Sequence, residues 1–116
     1  MRHAAWLLLL VAAPCLGVSP AAEEFMKITA ELEPVQCEKR KLRRWIAVAE
    51  AERKDQEVAG LRRRFAQIDA DPKTSKLEKR LGQLEKRISN GKGGTVDPDD
   101  LAAINRQRVE AFYRCE

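Results

Sequence analysis

Histidine is all but missing from this chain of 116 residues: the single one is His3, at the N-terminal edge. Cysteine is scarce, with three in all, and aromatic residues make up only 5%. Each shortage excludes something. With no histidine beyond position 3, Ser-His and Cys-His nucleophilic chemistry has no base, and a zinc site has no imidazole. With so few aromatics, burial rests on Leu, Ile, Val and Ala stripes, which suits packed helices better than a sheet. With 34% of residues charged, the core is small and belongs to one domain.

The N-terminus supplies a short basic start, Met1-Arg2-His3, then an apolar run from Ala4 to Ala13, then Pro14 and small residues. That is the grammar of a cleavable signal peptide, spanning residues 1–21 and cut after Gly17 or Ala21. The run is shorter than the roughly 20 residues a bilayer demands, so the chain is not expected to span a membrane after cleavage. Cys15 follows Pro14 directly, where a lipoprotein signal needs a small residue. Export, to a periplasm or to the outside, is the expected localisation.

Removing the leader takes away His3, Trp6 and Cys15, and leaves Cys37 and Cys115. In an oxidising compartment this pair is most simply a disulfide, with two buried free thiols as the alternative. The remaining residues, 22–116, form one small helical domain.

Along that domain, Phe25, Ile28 and Leu32 stand at helical spacing, and Pro34 is expected to push Glu33 out of helical geometry and open a new helix. Leu42, Trp45, Ile46 and Ala49 then form an apolar stripe, with Trp45 expected mainly in the core. The next stripe, Val58, Leu61, Phe65 and Ile68, is rotated by roughly 120° at 100° per residue. Helices over 35–53 and 56–68 are therefore either a hairpin, the preferred reading, with Asp55 as a cap, or one continuous rod. Asp69 to Pro72 is a second break, and Ser75 with Glu78 makes a capping box. Leu77, Leu81, Leu84 and Ile88 form a heptad seam, open to two uses: packing within the chain, or self-association as a homodimer. A flexible glycine-rich loop covers 90–96. Asp97, Pro98 and an acidic first turn start the last helix, where Leu101, Ile104, Ala111 and Phe112 share a face that Cys115 joins. The fold expected is all-α: a small antiparallel helical hairpin or bundle of three to four helices, stapled by one disulfide.

Candidate active sites fail their own chemistry. Gly91-Lys92-Gly93 lacks the hydroxyl residue and the glycine spacing of a phosphate loop. Asp69 with Asp71, and Asp97 with Asp99 and Asp100, sit at helix starts where capping accounts for them, and a calcium loop needs more oxygen ligands at alternate positions. No catalytic residue, metal ligand or cofactor is assigned.

What resists a bland reading is Lys39-Arg40-Lys41-Leu42-Arg43-Arg44-Trp45. Four residues either way from these bases stands no acid, and only Glu38 is placed to neutralise one, Lys41. Arg62, Arg63 and Arg64 add a second cluster. Of the 22 bases and 18 acids, the leader removes only Arg2, so the mature net charge is +3 and the cluster is a local concentration. It is either a solvated polar face or a surface for an anionic partner: another envelope protein, an anionic lipid or an acidic polymer. No specific nucleic acid is expected from an exported chain.

Cys37-Glu38-Lys39-Arg40 opening one arm, and Val58-Ala59-Gly60-Leu61 opening the next, resemble a family of small uncharacterised bacterial periplasmic helical-hairpin proteins. The resemblance implies compartment and hairpin, and no activity. The expected function is a non-enzymatic interaction module presenting a basic helix face, with a self-associating structural protein as the alternative.

Overall fold

The computed structural model describes residues 17–90 and 95–115; His3, Trp6, Cys15, loop residues 91–94 and Glu116 lie outside them. The described residues form four helices and no strand: α1 (Pro20–Ala51), α2 (Asp55–Ala70), α3 (Pro72–Ser89) and α4 (Pro98–Arg114). The all-α class is as expected, but the first helix is not.

Pro34 does not open a helix. It lies inside α1, which runs unbroken for 32 residues. The missing N–H and the ring cost a helix interior about 3 kcal/mol. The gain that outweighs this is visible in the spacing: Ile28, Leu32, Val35, Lys39, Leu42, Ile46 and Ala49 follow one another at steps of four and three. Five of the seven are buried and the other two half-buried. A break at Pro34 would split this stripe, and each buried Leu or Ile is worth about 1.5–3 kcal/mol. Pro34 itself is exposed, so its ring displaces nothing in the core.

Helix α1 ends in a Schellman turn. The N–H of Lys54 donates to the Ala49 carbonyl at 2.9 Å and that of Arg53 to Glu50 at 3.1 Å, with Arg53 at φ 56°. Helices α1 and α2 are thus separate arms. Asp55 is the first residue of α2 rather than its cap; the cap position is Lys54, which makes no side-chain capping bond.

Between α2 and α3 stands a single residue, Asp71, whose carboxylate accepts from the N–H of Thr74 at 3.0 Å and from its hydroxyl at 2.9 Å. This cap replaces the expected Ser75–Glu78 box. The break does not reverse the chain. Lys39 meets Asp69 at the end of α2, Gln36 meets Glu78, and Glu24 meets Arg80. Helices α2 and α3 therefore descend α1 one after the other, as an interrupted antiparallel arm.

Helix α4 begins at Asp97, whose carboxylate accepts from the N–H groups of Asp99 and Asp100, as the sequence predicts. It then runs parallel to α1. Ser19 bonds Asp100, the Gln107 amide donates to the Met26 carbonyl at 2.7 Å, and Arg114 pairs with Glu33. Each partner is 81 positions from the other, and the three links follow one another seven residues apart. Just beyond the last pair, Cys37 and Cys115 form a disulfide with Cα atoms 5.5 Å apart.

The main core lies in the lower half, where Ala22, Phe25, Ile28 and Leu32 of α1 meet Leu84 and Ile88 of α3 and Ile104 of α4. Three expected core residues are outside it. Trp45 is 49% exposed, and on α4 Leu101 and Phe112 are 48% and 56% exposed. Trp45 misses because it falls between the steps of the heptad stripe. On α4 only the single row facing α1 and α3 is covered.

Two stability measurements follow. Leu84→Ala, at a fully buried site, should cost about 2–5 kcal/mol in chemical denaturation, whereas Trp45→Ala should cost under about 1 kcal/mol; equal losses would refute this packing. Reducing the bridge, which closes a loop with 78 positions between its ends, should remove about 4 kcal/mol in the chain-entropy treatment and lower the melting point clearly. An unchanged melting point would deny the bridge a stabilising role.

Candidate functional site

The basic run of α1 divides between two faces. Lys39 occupies a core position of the heptad stripe, 7% exposed, and is not part of a cationic surface. Its ammonium donates to Asp69 at 2.5 Å and to Glu78 at 3.3 Å, with the Phe65 ring 5.1 Å away. Burial pushes the Lys39 pKa down, but the hydrogen bond to Asp69 and the attraction of Glu78 outweigh it and hold the group above the ordinary lysine value. Gln36 donates to the same Glu78 carboxylate at 3.2 Å. The cluster pins α1 to the end of α2 and the start of α3, across the Asp71 break.

Several other bases are neutralised across the hairpin, which intrahelical spacing could not reveal. Arg64 pairs with Glu38 at 2.7 Å, and Arg62 pairs with Glu50. Arg43 lies over the Phe65 ring at 5.3 Å. Arg63 is exposed on α2. The two predicted clusters therefore do not merge into one free surface.

What is left is more compact. At 100° per residue, Arg40, Arg44, Val48, Lys41 and Trp45 fall in that order within an arc of about 140°. Among the described residues none of the three cations has a carboxylate oxygen within 4.0 Å. Val48, between Arg44 and Lys41, is 50% exposed, and Trp45, at the edge of the arc beyond Lys41, is 49% exposed. Cys37 points along the middle of the same arc, so α4 covers this face of α1 below the disulfide and ends there. Above the disulfide the face is open.

The end of α4 adds to it. Arg40 stacks over Phe112 at 5.1 Å, and Phe112 meets Tyr113 edge to face at 5.5 Å. Tyr113 is the most exposed large apolar side chain described, at 73%. A groove of about 400 Å³ runs beside the disulfide, lined by Gln36, Arg40, Arg108 and Phe112 among others. The result is a convex surface of unpaired cations interleaved with Trp45, Val48, Phe112 and Tyr113. Sequence reasoning included Arg40, Lys41 and Arg44 but placed Trp45 and Phe112 inside.

The other predicted seam is spent within the chain. Leu84 and Ile88 are buried against α1, and Leu77 and Leu81, partly buried, pack on the same core, so the row is used for packing within the chain. Among the described residues, no group of three or more His, Cys, Asp or Glu side chains is placed to hold a metal ion. No described helix is long and apolar enough to cross a membrane.

Because the Lys39 pKa is raised by folding, its contribution to stability is complete below the ordinary lysine value of about 10.4 and is lost as pH rises through the higher folded value. The denaturation midpoint should fall above about pH 10. Lys39→Met should start lower at neutral pH and lose less on the alkaline side; an identical alkaline fall in both chains would exclude Lys39 as its source. No protein family, curated protein or solved structure matches the chain.

Proposed function

We propose that this is an exported, non-enzymatic helical module that docks on an anionic phospholipid surface through the open face of α1 and the tip of α4. The observation that carries the reading is the arc Arg40, Arg44, Val48, Lys41 and Trp45: cations with no acidic partner among the described residues, beside half-exposed apolar side chains. A soluble polyanion would be met by charge alone. A headgroup layer also accepts aromatic rings at the boundary between water and acyl chains, which is what Trp45 and Tyr113 offer.

Magnitudes favour cooperation between the two kinds of contact. Each Lys or Arg close to an anionic membrane surface contributes about 1 kcal/mol, so three cations alone give only weak, reversible attachment. The exposed aromatics supply the remainder, and the face stays peripheral. Binding rather than chemistry is the role assigned, since bridged cysteines and a histidine confined to the leader leave no nucleophile–base pair. The local resemblance to small periplasmic hairpin proteins belongs to the same proposal, and the α1/α2–α3 hairpin is compatible with it.

Sedimentation with vesicles tests the reading. Wild type should bind vesicles of mixed anionic and zwitterionic lipid at low ionic strength, lose affinity steeply as salt screens the charges, and ignore purely zwitterionic vesicles. Arg40→Gln/Lys41→Gln/Arg44→Gln should weaken binding about 100-fold with an unchanged circular dichroism spectrum, three increments of about 1 kcal/mol being roughly two decades. Absence of wild-type binding at low salt, or equal binding by the triple variant, would overturn the assignment.

A further inference from the structure

The leader offers two places where a small residue precedes the cut, after Gly17 and after Ala21, and residue types alone do not choose between them. The fold does. We propose that the export peptidase hydrolyses the Gly17–Val18 bond, so that the mature protein begins at Val18; this rests on the export reading above.

Ser19 is the reason. Its hydroxyl oxygen caps α1, accepting from the N–H of Ala22 at 3.2 Å. Its own N–H donates to one carboxylate oxygen of Asp100 and its hydroxyl to the other, both at 2.7 Å. Asp100 is 3% exposed, and none of its oxygens has a cationic side chain within 4.0 Å among the described residues. The clasp is thus what satisfies a buried carboxylate, and it is also the first of the three seven-spaced links between α1 and α4.

A cut after Ala21 would undo this in one step. It would remove Ser19, take both donors from Asp100, and strip Val18 and Ala21 from the core they pack against. It would also create an ammonium at Ala22, a site with 0% exposure at the start of a helix, where a positive charge opposes the helix dipole.

A cut after Gly17 keeps the Ser19–Asp100 clasp and leaves Val18 and Ala21 in the core. Gly17 is exposed and precedes the helix. Water adds across the amide: the Gly17 carboxylate leaves with the leader, and the Val18 nitrogen takes up protons as an ammonium. That ammonium is born among acids. Gly17, at φ 111°, lies so close to Asp99 that a Cβ on it would stand 2.2 Å from the Asp99 carboxylate. The neighbouring residue Ser19 is already held by Asp100. The new positive charge therefore meets the acidic first turn of α4, and the mature terminus strengthens the α1–α4 junction.

The test is to express the full chain in a host with a working export pathway, isolate it from the exported fraction, and determine its intact mass and N-terminal sequence. The expected product starts at Val18 and weighs two hydrogens less than residues 18–116, from the Cys37–Cys115 bridge. A product starting at Ala22, or at any other residue, overturns the proposal while leaving export standing; an uncleaved chain retained in the cytosol overturns both. Gly17→Leu should accumulate precursor, whereas Ala21→Leu should be processed like wild type. The opposite pattern sinks the assignment. Ser19→Ala should be cleaved at the same bond yet melt at a lower temperature, and an unchanged melting point would remove the clasp from the argument.

Discussion

Burial along one stripe of α1 is the constraint on which everything else depends. The stripe keeps a step of four and three from Ile28 to Ala49, and that repeat lets a single helix face an antiparallel partner along its whole length. Helix α2 takes the upper part, α3 the lower part, and α4 a second face of the lower half, so α1 is the element all three share. The helix survives an interior proline because breaking it would separate two halves of one buried surface. The same repeat explains why the α2–α3 arm can pause at Asp71 without turning back: both pieces are held in line by α1, and Lys39 is anchored to each side of the gap.

This arrangement also sorts the charges. Bases that face the α2–α3 arm meet carboxylates or an aromatic ring, and contribute to holding the hairpin. Exposed pairs such as Arg64–Glu38 are worth little individually, whereas the Lys39 cluster matters more, because removing its ammonium would leave two carboxylates facing one another. Bases on the opposite side of α1 meet no carboxylate among the described residues, because α4 stops at the disulfide; Arg40 alone reaches its tip, over the Phe112 ring. The bridge therefore does two things at once: it constrains the unfolded chain, and it sets the height at which α1 changes from a covered to an open surface.

Much of the architecture was legible in the residues. The helical class, the separation of α1 from α2, the Asp97–Pro98 start of α4 and the Cys37–Cys115 pair follow from local rules, since caps, prolines and a lone cysteine pair act over short range or by elimination. The continuity of α1 was legible only to a reader willing to run a heptad through Pro34 and through a lysine at a core position. Val35 and Lys39 complete the repeat, but a charged residue hides it. The candidate surface was half visible: its cations were, its apolar partners were not, because Trp45 and Phe112 read as core residues on an isolated helical wheel.

The sequence by itself determined what kinds of element could form and where several of them begin, because those properties belong to side chains and to stretches a few residues long. Only the tertiary structure decided which of the bases are free, which way α3 and α4 run, and that the leucine seam is spent inside the chain. The physical reason is one of distance along the chain. Lys39 meets carboxylates 30 and 39 positions away, and Ser19 meets one 81 positions away. Such partners are chosen by packing between helices, which no local pattern of residues records.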